Sequence, residues 1–433
     1  MKIAIMTLGC KVNKYESDAL MYNLNLKGFE TTDALEAADV YVINTCAVTA
    51  EAEKKSRQMV ARCRKFNKNA KIFICGCASQ NNAQQFLDKD VEYVIGVAAK
   101  IKIVEFIENL AQNDKKIAKK VKKVAKLPKD YEDFMFAKQS RIRAHIKIQD
   151  GCNNFCSYCI IPYLRGRSRS RGIFSIINEV ASLGDEVKEI VLTGINVTDY
   201  KIDGQGALLT LLEQLDTFGK RIRLGSVEDT LVNEEFIQGL ARLNNFCPHF
   251  HLSLQSGCDS VLKRMNRHYT SNQFARSVAL IRKYFPLAGI TTDVIVGFCD
   301  ETKEEFDTTY NFIKDVEFSQ LHIFPYSKRE GTVAAKLYKD LPSSVKQERV
   351  ATLETLGKHL KESFIRKNKF GYALIEEKID DCFVGYTENY IRVYIQAKHL
   401  KEDLTNKIVK VKILKPHKDG AFAKIIKENH KNS

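Results

Sequence analysis

The chain has 433 residues, 44% of them hydrophobic and 28% charged, the balance of a water-soluble protein large enough for two or three domains. No run of about 18 apolar residues occurs, which argues against a membrane span, and the opening "MKIAIMTLGCKVN" lacks the cleavage site of a secretory leader, so a cytoplasmic setting is expected. The formal charge of +15 favours a polyanionic partner, and twelve cysteines in that setting point to metal or catalysis rather than disulfides.

Residues 2–96 alternate apolar runs with helical patterns. "KIAIMTLG" (2–9), "VYVINT" (40–45), "KIFICG" (71–76) and "EYVIG" (92–96) read as strands, with helices over 16–27 and 51–66. This order predicts a parallel-sheet α/β domain over 1–99. Cys10, Cys46 and Cys77 follow the first three strands. Parallel strands of an open sheet end on one edge, where ligands bind, so three thiols distant in sequence are expected in one crevice. They suit a cluster with one open iron; a redox pair or three unrelated thiols are the alternatives. Cys75 competes with Cys77 because the two share a strand face, and Cys77 is preferred because it lies past the strand end.

Residues 100–138 read as a basic linker. "DKKIAKKVKKVAKLPKD" spaces Ile117, Val121 and Val124 as on a helix, so a basic amphipathic helix and a solvated linker both fit.

Residues 139–369 repeat strand then helix. "HIKIQD" (145–150), "EIVLTG" (189–194), "RIRLGS" (221–226), "HFHLSL" (249–254), "TTDVIVG" (291–297) and "LHIFPY" (321–326) predict a full or partial (β/α) barrel, its site at the C-terminal strand ends. The first strand runs into "DGCNNFCSYCIIPYLRG", where Cys152, Cys156 and Cys159 are spaced C-x3-C-x2-C. Three thiolates hold three irons of a four-iron cluster and leave the fourth open, as a reactive site requires. A zinc site would need a fourth ligand, and the nearest candidate, His145, precedes the loop. "RGRSRSR" places Arg165, Arg167, Arg169 and Arg171 just past the loop, either against an RNA phosphate or as an exposed basic loop.

Residues 370–433 alternate apolar and polar positions, predicting a small antiparallel β-barrel. Tyr386, Tyr390 and Tyr394 lie among Lys407, Lys410, Lys412, Lys415, Lys418, Lys424 and Lys427, a mixture on which bases could stack. Cys63, Cys247 and Cys382 have no ligand-like spacing and read as structural.

The three-cysteine loop at the end of the first barrel strand resembles the radical S-adenosylmethionine superfamily. There the open iron is chelated by S-adenosylmethionine, whose one-electron cleavage gives a 5′-deoxyadenosyl radical. Tyr158 resembles the aromatic that touches adenine in that family, and "TGIN" (193–196), "GSVE" (225–228) and "LQSG" (254–257) resemble its cofactor-contact segments. The cofactor-binding residues so implied are Tyr158, Gly194, Asn196, Ser226, Glu228, Gln255 and Ile295; plain turns are the other reading of Gly194, Gly225 and Gly257.

Over essentially the whole chain, "TLGCKVNKYES", "ADVYVINTCAVT", "GCASQ", "GCNNFCSYCIIPY", "CPHFHLSLQSGCD" and "ITTDVIVGF" resemble the methylthiotransferase family of radical S-adenosylmethionine enzymes, which ends in a barrel of the TRAM type. "GCKVN" resembles the branch that adds a methylthio group to C2 of N6-threonylcarbamoyladenosine at tRNA position 37. Other branches act on isopentenyladenosine or on a ribosomal-protein aspartate. The resemblance implies two [4Fe–4S] clusters, on Cys10, Cys46 and Cys77 and on Cys152, Cys156 and Cys159. It also implies S-adenosyl-L-methionine, the tRNA anticodon loop as substrate, and an electron donor such as flavodoxin or ferredoxin. A monomer is the default. "GFCDET" (297–302) departs from the pattern, with Cys299 and Asp300 where relatives carry Pro-Gly, so a different turn is expected there. The rival from another class is a non-enzymatic iron–sulfur RNA-binding protein.

Overall fold

In a computed structural model, the described residues are 1–89, 91–112, 121–124, 126–133, 142–398, 400 and 402–426. The first apolar runs form β1 (Lys2–Thr7), β3 (Val40–Thr45), β4 (Lys71–Gly76) and β5 (Tyr93–Ile95), joined by β2 (Glu30–Thr32) and β6 (Val121–Lys123). The order is β2-β1-β3-β4-β5-β6 and every pair is parallel. Both faces are covered, which is why the central strands are apolar throughout. Met6, Tyr41, Ile43, Ile72 and Ile74 pack on one side, and Ile5, Val42, Phe73 and Cys75 on the other.

Helices α1 (Lys11–Leu26), α2 (Ala50–Phe66), α3 (Cys77–Asn81), α4 (Gln84–Leu87) and α5 (Lys102–Ala111) make the crossovers. The start of α2 is set by Thr49, whose hydroxyl accepts the Ala52 N–H, with Glu51 and Glu53 at the positive end of the helix and Arg64 and Lys65 at the negative end. Val121 lies in a strand, not on an amphipathic helix. The lysine-rich segment extends the sheet by one edge, and Val124 packs against the sheet core. Ile117 and Lys427 lie outside the described residues.

The central segment carries β7 (Arg143–Lys147), β8 (Gln149–Asp150), α6 (Ile161–Arg165), β9 (Arg169–Ser170), α7 (Ile173–Ala181), β10 (Glu189–Thr193), β11 (Lys201–Ile202), β12 (Gln205–Gly206), α8 (Leu208–Asp216), β13 (Arg221–Leu224), β14 (Ser226–Val227) and α9 (Glu234–Ala241). It continues through β15 (His249–Gln255), α10 (Asp259–Arg264), α11 (Ser271–Tyr284), β16 (Gly289–Val296), α12 (Lys303–Val316), β17 (Gln320–Pro325), α13 (Val333–Leu337) and α14 (Ser343–Lys367). Two parallel arcs result, β7-β10-β13 and β14-β15-β16-β17, and the Gly225 N–H bonds the Leu192 carbonyl at 2.8 Å where they meet. Among the described residues β7 and β17 do not pair, so the barrel is partial. Ile146, Ile190, Ile222, Phe250 and Ile290 turn outward into the helical layer. Their strand neighbours Arg143, Glu189, Arg223, His249 and Thr291 therefore face inward.

The last strands, β18 (Phe370–Ile379), β19 (Cys382–Thr387), β20 (Arg392–Gln396), β21 (Ile408–His417) and β22 (Gly420–Ile425), close in the order β18-β19-β20-β22-β21. The barrel is not wholly antiparallel as expected: β20 and β22 run parallel. No helix among the described residues is long and apolar enough to cross a membrane.

Candidate functional site

The register of the N-terminal sheet aligns its thiols. Thr7 pairs with Asn44, Asn44 with Cys75, and Thr45 with Gly76, so β1, β3 and β4 end level with one another. Cys10 then caps α1, Cys46 directly follows β3, and Cys77 opens α3. Gly9 has φ +102°, and a Cβ there would lie 2.7 Å from the Cys46 sulfur, so its backbone touches that thiol. Cys46 and Cys77 are 4% and 3% exposed, whereas Cys10 is open to solvent. Burial, helped by the neighbouring Cys77 and Cys10, pushes the Cys46 thiol up to about 11. Burial also raises Cys77, against the pull of Arg165. Cys75 belongs to the core on the other sheet face, which separates it from Cys77.

The second trio lies on the loop between β8 and α6. Gly151, at φ +73°, lies where a Cβ would sit 2.1 Å from the Arg167 carbonyl, so the loop closes tightly on its own return. Cys159 N–H bonds the Cys156 carbonyl at 2.9 Å, and Ser157 is anchored to the Met265 and Arg264 carbonyls at 2.9 and 2.7 Å. Burial pushes Cys152 up to about 11 and Cys159 up to about 12; Cys156 adds to both. Arg267 donates to the Cys156 sulfur at 3.2 Å and pairs with Glu228 at 3.1 Å; Glu228 also accepts from Asn154 at 2.6 Å.

Of the proposed cofactor contacts, Glu228 is thus tied to the loop, and Tyr158 and Ile295 share one packed cluster, Tyr158 edge-on to Phe298 at 6.4 Å. Asn196 donates its N–H to Gln149 at 2.8 Å, while its buried side-chain oxygen has no partner among the described residues. Gln255 adopts φ +65° at a β-bulge, a conformation held against steric cost. Ser226 is exposed on β14. Gly194 lies against Gln149, Gly225 against the Leu192 carbonyl and Gly257 against Phe312, so close packing explains all three. In the divergent "GFCDET" turn, Glu301 accepts the Gly297 N–H at 2.7 Å and pairs with Arg349, and Cys299 is buried.

Sequence reasoning missed what lies between the trios. Arg165, fully buried, donates to the Cys77 sulfur at 3.4 Å, to Asp150 at 2.9 Å, to Glu16 at 3.1 Å and to Asn13 at 2.7 Å. Lys147 bridges Glu16 and Asp150 at 2.8 and 2.7 Å, and Lys100 also pairs with Glu16. Burial opposes ionisation, yet Arg165, Lys100 and Lys147 hold the Glu16 carboxyl well below the usual range. With Arg169, 3.4 Å from Asp150, four buried cations thus meet two carboxylates, leaving positive charge beside Cys77. Nothing in linear spacing marks this network, because its members come from α1, α3, the turn before α5, β7, β8, α6 and β9.

The arginine motif is largely internal. Arg171 pairs with Glu179 and Asp133, and Arg169 with Asp150, so only Arg167 of the four is exposed. The barrel floor is also polar. Glu189 binds Arg143 at 2.8 Å and Arg223 at 2.9 Å, and Thr291 bridges His249 and His251 at 3.1 and 2.9 Å. Tyr390 stacks on His249 at 4.4 Å and lies 4.8 Å from Tyr386, and Tyr394 is buried. The C-terminal barrel therefore plugs the end of the (β/α) barrel opposite the cysteine loop; Tyr386 and Tyr390 are spent on that contact, and Tyr394 is buried against Asp419 and His417 of its own barrel.

Burial opposes ionisation of Glu189, but Arg223 and Arg143 hold its carboxyl down to about 2. The stabilisation is complete above the unfolded value of about 4.3, worth about 3 kcal/mol, and is lost as pH falls toward about 2. In denaturant titrations the deficit of Glu189→Gln relative to the wild type should be full at pH 6 and shrink steadily below pH 4. A constant deficit would contradict the pairing.

Among the described residues no three side chains converge as one metal ion requires. A cluster, whose irons each take one thiolate, fits two thiol trios that are buried except at Cys10, Cys152 and Cys159, with unbalanced positive charge beside Cys77. Residues 2–96 match the model described as "Uncharacterized protein family UPF0004", and residues 146–313 match the "Radical SAM superfamily". The chain is 40% identical to the threonylcarbamoyladenosine tRNA methylthiotransferase MtaB of Bacillus subtilis, over 98% of this chain and 97% of that one. It is 33% identical to the tRNA-2-methylthio-N(6)-dimethylallyladenosine synthase of Thermodesulfovibrio yellowstonii, over 98% of both. Among solved structures, the radical S-adenosylmethionine methyltransferase TsrM of Kitasatospora setae, with cobalamin and a [4Fe-4S] cluster bound, gives a TM-score of 0.56 at 14% identity, covering 77% of this chain and 74% of that one. That likeness is one of fold.

Proposed function

This chain belongs to the methylthiotransferase family of radical S-adenosylmethionine enzymes, and we propose that it adds a methylthio group to C2 of N6-threonylcarbamoyladenosine at tRNA position 37. The observation that carries the reading is the shared wall between the thiol trios, with Arg165 reaching from the helix after the Cys152–Cys156–Cys159 loop to Cys77 of the other set. Cys152, Cys156 and Cys159 would hold one [4Fe–4S] cluster with a position open to S-adenosylmethionine, and Cys10, Cys46 and Cys77 the second. When bound, these groups supply radical chemistry and the sulfur. The protein supplies position: the adenine C2–H offers no acidity for a side chain to use, so no acid–base residue is needed. Glu228, Asn154 and Arg267 brace the first loop, and Arg165 braces the second trio against it. A donor such as flavodoxin or ferredoxin would deliver the electron.

The choice of N6 substituent is supported by the Bacillus subtilis relative and by Lys11. A threonylcarbamoyl group ends in a carboxylate; an isopentenyl group is neutral. Lys11 directly follows Cys10, is open to solvent, and has no ion-pair partner among the described residues. Its electrostatic neighbours are Arg143, Arg223, Glu189, His249 and His322, so its ammonium is turned toward the barrel lumen, between the thiols and the polar floor. Lys11→Gln should raise KM for a stem-loop carrying N6-threonylcarbamoyladenosine about tenfold or more, the worth of one charge-assisted hydrogen bond. Nucleoside mass spectrometry of wild-type reactions with threonylcarbamoyl and isopentenyl stem-loops tests the reading. Product from the isopentenyl stem-loop alone would overturn it, and an unchanged KM would remove Lys11 from it.

A further inference from the structure

We propose that Tyr163, backed by Phe155 and flanked by Arg167, forms a stacking platform for a single-stranded RNA nucleotide adjoining the target base. The proposal rests on the RNA substrate given above and adds the place where the neighbouring nucleotide is held.

Four observations lead to it. First, Arg167 is set apart from its neighbours. Arg165, Arg169 and Arg171 are buried on carboxylates, whereas Arg167 is exposed and has no carboxylate partner among the described residues. Its guanidinium lies instead over the Phe155 ring, 4.4 Å from the centroid. Second, Phe155 meets Tyr163 edge-on, centroids 5.4 Å apart at 81°, which fixes the tyrosine ring while leaving Tyr163 47% exposed. Third, neither ring belongs to a hydrophobic core cluster among the described residues, so neither is spent on the fold. Fourth, Phe155 is held at φ +47°, a region costly for a bulky residue, by Asn266, which donates to the Phe155 carbonyl at 3.1 Å and to that of Asn154 at 3.3 Å.

The platform lies on the cysteine loop itself, since Phe155 immediately precedes Cys156 and Tyr163 sits on α6. A base drawn to the thiol trios must leave its stack, and its neighbour on the strand then loses a stacking partner. An exposed tyrosine face beside an unpaired guanidinium replaces both lost contacts, the ring taking the base and the cation the phosphate. Stacking on aromatics tolerates any base, so the platform holds the strand without reading it.

The test is equilibrium binding of an anticodon stem-loop to the cluster-loaded protein, followed by fluorescence anisotropy. Tyr163→Ala should weaken binding about tenfold to a hundredfold, and Tyr163→Phe should restore it. Arg167→Ala should lower the salt slope by about 0.7. A stem-loop made abasic beside the target should bind the wild type as weakly as the intact stem-loop binds Tyr163→Ala, with no further loss when both changes are combined. Iron content reports whether the loop is intact; should Tyr163→Ala lose iron, Tyr163→Leu and Arg167→Ala carry the test. Unchanged affinity in these variants, or fully additive losses in the combination, overturns the platform. A wild type that binds no stem-loop overturns the RNA substrate instead.

Discussion

Replacing Cys46 with serine is expected to leave cleavage of S-adenosylmethionine intact and to abolish methylthio transfer. Cys46 stands at the end of β3, nearly buried, with the Gly9 backbone against its sulfur. A hydroxyl in the same pocket is harder, holds its proton far more tightly than a thiol, and does not replace a thiolate on iron. The other trio is held by different elements, β8, α6 and the Arg267–Glu228–Asn154 brace. The two activities should therefore separate. Chromatography of 5′-deoxyadenosine should show wild-type order, nucleoside mass spectrometry should show product below about one-hundredth of wild type, and bound iron should fall by about half. Cys156→Ser should remove both activities. Persisting product in Cys46→Ser would dissolve the division of labour between the trios.

What the sequence revealed depended on whether a signal was periodic. Alternating apolar runs located every central strand of both α/β units, and parallel topology alone predicted that Cys10, Cys46 and Cys77 would share an edge, because strand ends in such a sheet are level by construction. β2 escaped because three residues, Glu30–Thr32, are too few to show a period. β6 was missed because its valine and lysines suit a helix equally well. The arginine motif misled because composition says nothing of which carboxylates fold onto it; Glu16 lies on α1 and Glu179 on α7. The tyrosines of the C-terminal barrel misled for the same reason, since the surface that meets His249 and Arg223 becomes interior only when the domains dock. The residues that hold the site together are those whose partners are most distant in sequence.

Arg165→Gln should destabilise the protein by about 3–5 kcal/mol, the cost of removing one member of a buried ionic network. The guanidinium is fully buried. Its loss leaves Asp150 and Glu16 short of a cation, Asn13 short of a donor, and the Cys77 sulfur without its N–H. Burial opposes ionisation of Asp150, but Arg165 and Lys147 hold its carboxyl well below the usual range, so that carboxyl should take up a proton more readily in the variant. The thermal midpoint should fall by roughly 10 °C at neutral pH. Arg165→Lys should lie between, since an ammonium keeps the charge but cannot span four acceptors in a fork. If Cys77 holds a cluster as proposed, the same contact predicts a second readout, since fewer hydrogen bonds to a ligating sulfur lower a cluster's reduction potential. A stable Arg165→Gln protein with an unshifted potential for the cluster on the Cys77 side would mean that Lys100, Lys147 and Arg169 suffice for both carboxylates, and that the wall between the trios does not depend on this side chain.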